Sequence, residues 1–457
     1  MNVVLISTYE LGRQPFGLAS PAAWLRREGA SVTCLDLARQ KPAEEPLRAA
    51  DLIAFYVPMH TATRIAARAL EQVKRLNPRA HVCFYGLYAP VNDTYLRQLG
   101  AETILGGEFE EGLVHLLRRL QHENGRPQAS GQPEPLVSLA RQDFLIPDRT
   151  DLPPLDRYAR LQMGNGRSRT VGYTEASRGC KHLCRHCPIV PVYNGIFRIV
   201  QRDVVLEDIR RQVAAGAEHI TFGDPDFFNG IGHALPLVEA LHREHSRLTY
   251  DVTIKIEHLL QYSEHLPTLR ATGCLFVTSA VESIDDRILA RLDKGHTRQD
   301  FIQVVRRFQE IGLVLSPTFV PFTPWTTLAG YRELLVLLAR LDLIDHVAPI
   351  QLAIRLLIPA GSRLLELPEV ATLVGDFDPA ALSYRWEHSD PRVDQLRRDV
   401  QDAVKQGEAQ GKTRREIYGQ IWRLTQQATG SPVEADPELT ADLPRAAIPY
   451  LNEPWYC

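Results

Sequence analysis

Cysteine is scarce in this chain, with seven in 457 residues. They are too few and too unevenly spread for a disulfide scaffold. Long apolar runs are missing too: no stretch approaches the ~18–20 residues of a transmembrane helix, so a membrane partner is not expected. Neither charge sign dominates, since 52 Lys and Arg face 55 Asp and Glu for a net charge of -3. That balance gives no electrostatic case for a nucleic-acid partner. The opening MNVVLISTYELG has no basic region and no cleavage site, which points to a cytoplasmic protein. No motif repeats at a period of 20–50 residues, which excludes a solenoid. At roughly 150 residues per domain the length suggests about three domains.

What is present is β–α alternation, twice over. Strand candidates Val3–Ser7, Ser31–Leu35, Asp51–Val57, His81–Gly86 and Glu102–Leu105 alternate with helical patterns at Ser20–Glu28, Thr61–Leu76, Asn92–Leu99 and Glu108–Leu120. This predicts a doubly wound parallel sheet of flavodoxin-like order over residues 1–121. A polar linker rich in Pro, Gly and Gln covers 122–170, with a short anchoring turn at Tyr158–Leu161.

Alternation resumes over 171–375. Its strand candidates are Val171–Thr174, His219–Phe222, Asp251–Lys255, Leu275–Ser279, Leu313–Phe319 and Pro349–Ile354. Helical patterns at Leu206–Ala215, Gly232–His245, Asp285–Arg291, Arg298–Ile311 and Leu328–Ala339 separate them. Six such units predict a partial (β/α)6 barrel, a fold whose reacting groups sit at the carboxyl ends of strands. Residues 376–457 read as a small helical region (Pro391–Gln410, Thr413–Ala428) with a tail.

The strongest chemical signal is Cys180-Lys181-His182-Leu183-Cys184-Arg185-His186-Cys187, three thiols within eight residues on the loop after the first barrel strand. Soft sulfur ligands favour zinc or an iron–sulfur cluster. A structural zinc site wants a fourth ligand, for which His182 and His186 are nearby. That reading would make the chain a zinc-stabilised, non-enzymatic binding module. A cubane held by three cysteines instead leaves one iron open.

CxxxCxxC on the first loop of a βα barrel resembles the radical SAM superfamily. Ser177-Arg178-Gly179 before it resembles the branch with an N-terminal cobalamin-binding domain. The resemblance implies that Cys180, Cys184 and Cys187 hold a 4Fe–4S cluster, that its open iron chelates S-adenosylmethionine, and that one electron cleaves a C–S bond of that cofactor. It also implies a low-potential electron donor of flavodoxin or ferredoxin type and a small-molecule substrate. Gly223-Asp224-Pro225-Asp226 sits where similar proteins contact the methionyl amino group, so Asp224 or Asp226 is a candidate acceptor; a helix cap and turn is the plainer reading. Lys255 and Glu257 lie two apart at a predicted strand end, on one pleat face. Val281-Glu282-Ser283 followed by Lys294-Gly295-His296-Thr297 matches the cobalamin-domain branch, placing Glu282 and Ser283 near the ribose or carboxylate. Arg355, on the predicted sixth strand, suits a carboxylate clamp. His186 stands where the superfamily usually has an aromatic residue against the adenine, and it can still stack.

In the first domain, Gly106-Gly107-Glu108-Phe109-Glu110 resembles the turn that closes the cobalamin-binding fold, with both glycines allowing close approach of a nucleotide or corrin tail. The cobalt-ligating Asp-x-His-x-x-Gly is absent, so cobalamin is an uncertain cofactor. The last residues, LNEPWYC, resemble the end of radical SAM proteins with a CUAEP or CCAEP tail, where U is selenocysteine. On that likeness the codon after Cys457 is a UGA read as a stop. Cys457 then becomes a redox-active catalytic candidate in a thiol–selenol pair. Open readings of the reaction are cobalamin-dependent methyl transfer, hydrogen abstraction, and 3-amino-3-carboxypropyl transfer to a soft nucleophile. Cys34, Cys83 and Cys274 read as buried bystanders.

Overall fold

The computed structural model describes residues 1–123, 133–164, 166–430 and the strand Tyr450–Leu451. The first sheet contains β1 (Asn2–Ser7), β2 (Ser31–Asp36), β3 (Leu52–Tyr56), β4 (His81–Tyr85), β5 (Thr103–Gly107) and β6 (Val137–Ser138). All its pairings are parallel, in the order β2-β1-β3-β4-β5-β6. Alternation along β1 shows why it is doubly wound. Val3 and Leu5 join one apolar cluster with Leu18 and Leu113. Val4 and Ile6 join the opposite one with Ala66 and Leu70. Two buried faces explain the near-continuous apolar runs that made these strands legible.

The first helix, Phe16–Arg27, starts four residues before the predicted Ser20 and has Pro21 inside it. Proline at that position cannot donate to the carbonyl of Gly17, four residues back. The Tyr85 hydroxyl donates to that carbonyl at 2.8 Å, so the sheet supplies the bond that the helix lacks.

The second sheet begins with β7 (Arg160–Gln162), where a turn was expected, and β8 (Ser168–Thr174); β9 (Ser177–Gly179) and β10 (Phe197–Ile199) form a small ribbon beside it. It continues with β11 (His219–Phe222), β12 (Thr249–Thr253), β13 (Cys274–Glu282) and β14 (Val314–Phe319). Strands β8, β11, β12, β13 and β14 are parallel and adjacent in that order, a curled half-barrel. Antiparallel β7 extends its edge, and Tyr450–Leu451 pairs with β7 in turn. Cys457 lies outside the described residues.

The predicted sixth barrel strand is replaced by a 3-10 turn, Pro349–Leu352, and only an isolated parallel bridge joins Phe322 to Arg355. Pro349 has no N–H to give a ladder. Gln351 Oε1 instead accepts from the Phe319 N–H at 3.2 Å, doing for β14 what a strand carbonyl would have done. The C-terminal helices Pro391–Ala409 and Arg414–Thr429 lie close to their expected bounds and pack into the barrel's core cluster through Val400 and Ile421. Among the described residues no helix is long and apolar enough to cross a membrane.

Candidate functional site

The three cysteines follow β9, on the loop that leaves the first barrel strands. Cys184 is buried, and Cys180 and Cys187 are partly so. The loop turns on its own backbone, with the Cys187 N–H donating to the Cys184 carbonyl at 3.1 Å. Asn229, buried after β11, accepts from the Lys181 N–H at 3.2 Å and lies 3.9 Å from Cys180 Sγ. Burial pushes the Cys187 thiol up to about 12, and the charges of Cys184 and Cys180 push the same way. A cation near the thiols favours their charged form. Lys294 partly provides one: burial disfavours its charge, but Glu282 and the thiols of Cys184 and Cys187 outweigh that and raise its pKa.

Glu282 ends β13 with a left-handed φ of 68°. Its carboxylate lies 3.2 Å from His186 Nε2 and 3.5 Å from Lys294 Nζ. Burial alone would raise that carboxyl, but Lys294 and His186 prevail and hold it at about 2. Ser283 accepts from the Asp285 N–H at 3.1 Å, shaping the turn beyond the strand. The structure brings His186 and Glu282 together with Lys294, which lies near Cys184 and Cys187. His296 is buried nearby, and burial followed by the charges of Lys294 and Lys255 lowers its pKa to about 4.

Asp224 and Asp226 separate in role. Asp224 accepts from Ser177 Oγ at 2.5 Å and the Ala176 N–H at 2.9 Å, tying the end of β11 to the loop before the cysteines. Burial raises its carboxyl to about 7 despite those bonds. Asp226 caps the turn after β11 through Phe228, leaving Oδ2 facing His182 and His258.

Lys255 and Glu257 do meet, at 2.9 Å, but not on a strand. β12 stops at Thr253, and Lys255 stands in extended conformation at the N-cap position of the helix Ile256–Gln261, so the pair forms at the strand-to-helix turn. Arg355 likewise sits on no strand. Its guanidinium stacks 3.7 Å above Trp386 and pairs with Asp394 at 3.0 Å, fastening the C-terminal helix to the half-barrel.

Zinc closure by a neighbouring histidine finds no support here. His186 faces Glu282, and His182 Nδ1 lies 3.0 Å from Lys255 Nζ. Cys34, Cys83 and Cys274 are buried in β2, β4 and β13, away from the loop. The three thiols thus share one loop whose histidines are engaged elsewhere.

In the first domain a Cβ on Gly106 would meet Pro90 at 2.4 Å. Gly107 has φ +70, and a Cβ there would meet the Ser138 carbonyl oxygen at 2.2 Å. Both glycines are accounted for by the chain's own packing. Tyr56, Tyr85 and Phe109 pack ring against ring at 5.0–5.8 Å, filling the carboxyl ends of β3 and β4. His60, the one histidine there, lies 2.5 Å from the Ala381 carbonyl through Nε2. These residues offer no ready cobalt ligand.

Sequence reasoning passed over Arg178. It is buried, pairs with Glu110 at 2.7 Å, Glu175 at 2.7 Å and Glu108 at 3.3 Å, and lies within 6 Å of the Phe16, Phe109 and Phe144 rings. It locks the first domain onto the loop that leads into Cys180. His182 and His258 were also missed as partners, because one is in the cysteine loop and the other in an unpredicted helix.

Residues 174–326 match the Radical SAM superfamily. Over 172 residues the chain is 27% identical to the ribosomal protein uS12 methylthiotransferase RimO of Syntrophotalea carbinolica, covering 36% of this chain and 38% of that protein. Over 327 residues it is 25% identical to the hopanoid C-3 methylase of Methylococcus capsulatus, covering 68% of this chain and 62% of that one. It thus spans less than two thirds of either relative. The fold is similar to that of the cobalamin-dependent S-adenosylmethionine radical enzyme OxsB, with aqua-cobalamin and S-adenosylmethionine bound. That likeness has a TM-score of 0.70 at 15% identity and covers 89% of this chain and 67% of that one. The three thiols on the first loop of the half-barrel lie inside the segment that matches the Radical SAM superfamily.

Proposed function

We propose that this protein is a radical SAM enzyme that cleaves S-adenosylmethionine reductively to begin radical chemistry on a small substrate, drawing electrons from a low-potential flavodoxin- or ferredoxin-type donor. The observation that carries the reading is the three-thiol loop beneath the buried Lys294, with no fourth protein ligand beside it among the described residues. When bound, a 4Fe–4S cluster supplies the electron and the open iron on which the amino and carboxylate groups of S-adenosylmethionine chelate.

The chain's own residues do the rest. Cys180, Cys184 and Cys187 hold three corners. Lys294 offsets the negative charge of the thiolates. Glu282 and Ser283, at the end of β13, face the cofactor's ribose or carboxylate, and His186 lies where the adenine packs. Asp224 holds the cysteine loop against β11 rather than meeting the cofactor itself, which leaves Lys255 as the polar group toward the methionyl end. Arg178 fixes the loop from behind.

The test is anaerobic reconstitution with iron and sulfide, then assay for 5′-deoxyadenosine. A brown protein that forms it supports the reading, and Cys180→Ala, Cys184→Ala or Cys187→Ala should each abolish both colour and product. A colourless wild-type protein with stoichiometric zinc on the cysteines would refute it.

Cobalamin-dependent methyl transfer is a second reading, favoured by the likeness to the hopanoid C-3 methylase and to the cobalamin-bound fold of OxsB. The aromatic packing at β3 and β4 and the engaged His60 stand against a protein-ligated cobalt, so no step here passes through cobalamin. Titration with hydroxocobalamin decides it. The likeness to the CUAEP- and CCAEP-tail family, and with it a redox role for Cys457, rests on the sequence motifs. Reading the codon after Cys457 tests it.

A further inference from the structure

A second cluster of potential ligands lies at the ends of β11 and β12, and it contains no cysteine. His182 Nε2, Asp226 Oδ2 and His258 Nδ1 all lie within 4.8 Å of one another. His258 Nδ1 is 2.7 Å from Asp226 Oδ2, and His182 Nε2 is 3.5 Å from it. Yet all three atoms are buried with no hydrogen-bond partner. The contacts are ion-pair distances without the alignment of a hydrogen bond. Three orphaned buried polar atoms around one point are costly unless something fills that point.

The surroundings pre-set each ligand. Asp226 Oδ1 accepts from the Phe228 N–H at 3.1 Å, which turns Oδ2 inward. Lys181 N–H bonded to Asn229 holds the backbone beside His182. The His258 and His182 rings lie 4.6 Å apart. We propose that His182 Nε2, Asp226 Oδ2 and His258 Nδ1 bind one first-row divalent cation, zinc foremost, separate from the iron–sulfur cluster. Two imidazoles and one carboxylate are a zinc ligand set that leaves a fourth position open for water or a substrate donor atom.

Ligation through Nε2 leaves the His182 proton on Nδ1. Glu257 Oε2, 3.6 Å away, would have to close on Nδ1 to accept that proton, the kind of contact that commonly orients metal-bound histidines. Lys255 then gives up its contact with His182 Nδ1 and keeps its bond to Glu257 at 2.9 Å. No part of the inference depends on the cluster reading, since the ligand sets share no residue.

The experiment incubates anaerobically reconstituted protein with equimolar zinc, desalts it, and measures zinc, iron and sulfide per chain. Zinc-edge X-ray absorption follows. The expected result is one retained zinc with a nitrogen and oxygen shell at about 2.0–2.1 Å. His258→Gln and Asp226→Asn should each retain zinc about tenfold less well or worse while keeping cluster absorbance, which also reports that they fold. The triple variant Cys180→Ala, Cys184→Ala, Cys187→Ala should keep its zinc without a cluster. That arm separates this inference from the enzyme proposal: zinc bound where no cluster forms sustains the first and not the second. A sulfur shell at about 2.3 Å, no retained zinc in the wild-type protein, or equal retention in the two single variants overturns it.

Discussion

Replacing Arg178 with methionine removes one charge and leaves three behind. Glu108 and Glu110 are fully buried, Glu175 is nearly so, and Arg178 is the cation that pairs with each. Breaking a buried pair by deleting one partner costs about 3–5 kcal/mol, because the survivor's charge stays uncompensated. The side chain also lies against three aromatic rings, and methionine keeps much of that packing, so the loss is mainly electrostatic. For a domain of this size about 2–4 °C of midpoint goes with each kcal/mol, which gives a drop of about 6–20 °C. Thermal unfolding of the cluster-free protein, followed by circular dichroism, measures it.

The deficit should also depend on pH. Burial pushes the Glu108 carboxyl up to about 7, well above the ordinary carboxyl range, and Arg178 holds it back. The folded state therefore keeps a proton across that window that the unfolded state has lost, and stability falls as pH rises through it. Without Arg178 the folded pKa climbs further. Arg178→Met should therefore be closer to wild type at about pH 5 than at about pH 8. Salt should change little, since buried pairs are poorly screened. A midpoint within about 2 °C of wild type at both pH values would refute the network as a stabilising contact.

Other outcomes follow from the same geometry. Tyr85→Phe leaves the Gly17 carbonyl, opposite Pro21, without its donor; it should cost about 1–3 kcal/mol in urea unfolding, and adding Pro21→Ala should recover most of that by restoring a helical N–H. Gly107→Ala forces a left-handed residue against the Ser138 carbonyl and should cost about 1–3 kcal/mol or more, read as a lower urea midpoint. Lys294→Met strands Glu282 in a buried site and should lower iron per chain after reconstitution, with a more negative cluster midpoint potential by electron paramagnetic resonance titration.

Strands β1 to β5, β8 and β11 to β14 were legible because buried parallel strands are written as apolar runs, and the helix Arg298–Ile311 was read to the residue, with Thr297 and Gly312 punctuating it. The sixth strand failed because apolar content over Pro349–Ile354 does not distinguish a strand from a turn whose side chain does the bonding. The cysteine loop was plain from spacing alone. The partners of its histidines were not, because Asp226 and His258 come from two other strand ends and only folding brings them to His182. Arg178 stayed invisible for the same reason: its three carboxylates lie on both sides of the linker.

The strand at Tyr450–Leu451 lies along β7, which would otherwise be the free rim of the second sheet. A bare rim presents unpaired N–H and C=O groups to any other extended chain. Removing the residues beyond Gly430 would uncover Arg160–Gln162, and the shortened protein should recruit a strand from a neighbouring molecule in place of its own. In this role the strand Tyr450–Leu451 is a guard against self-association.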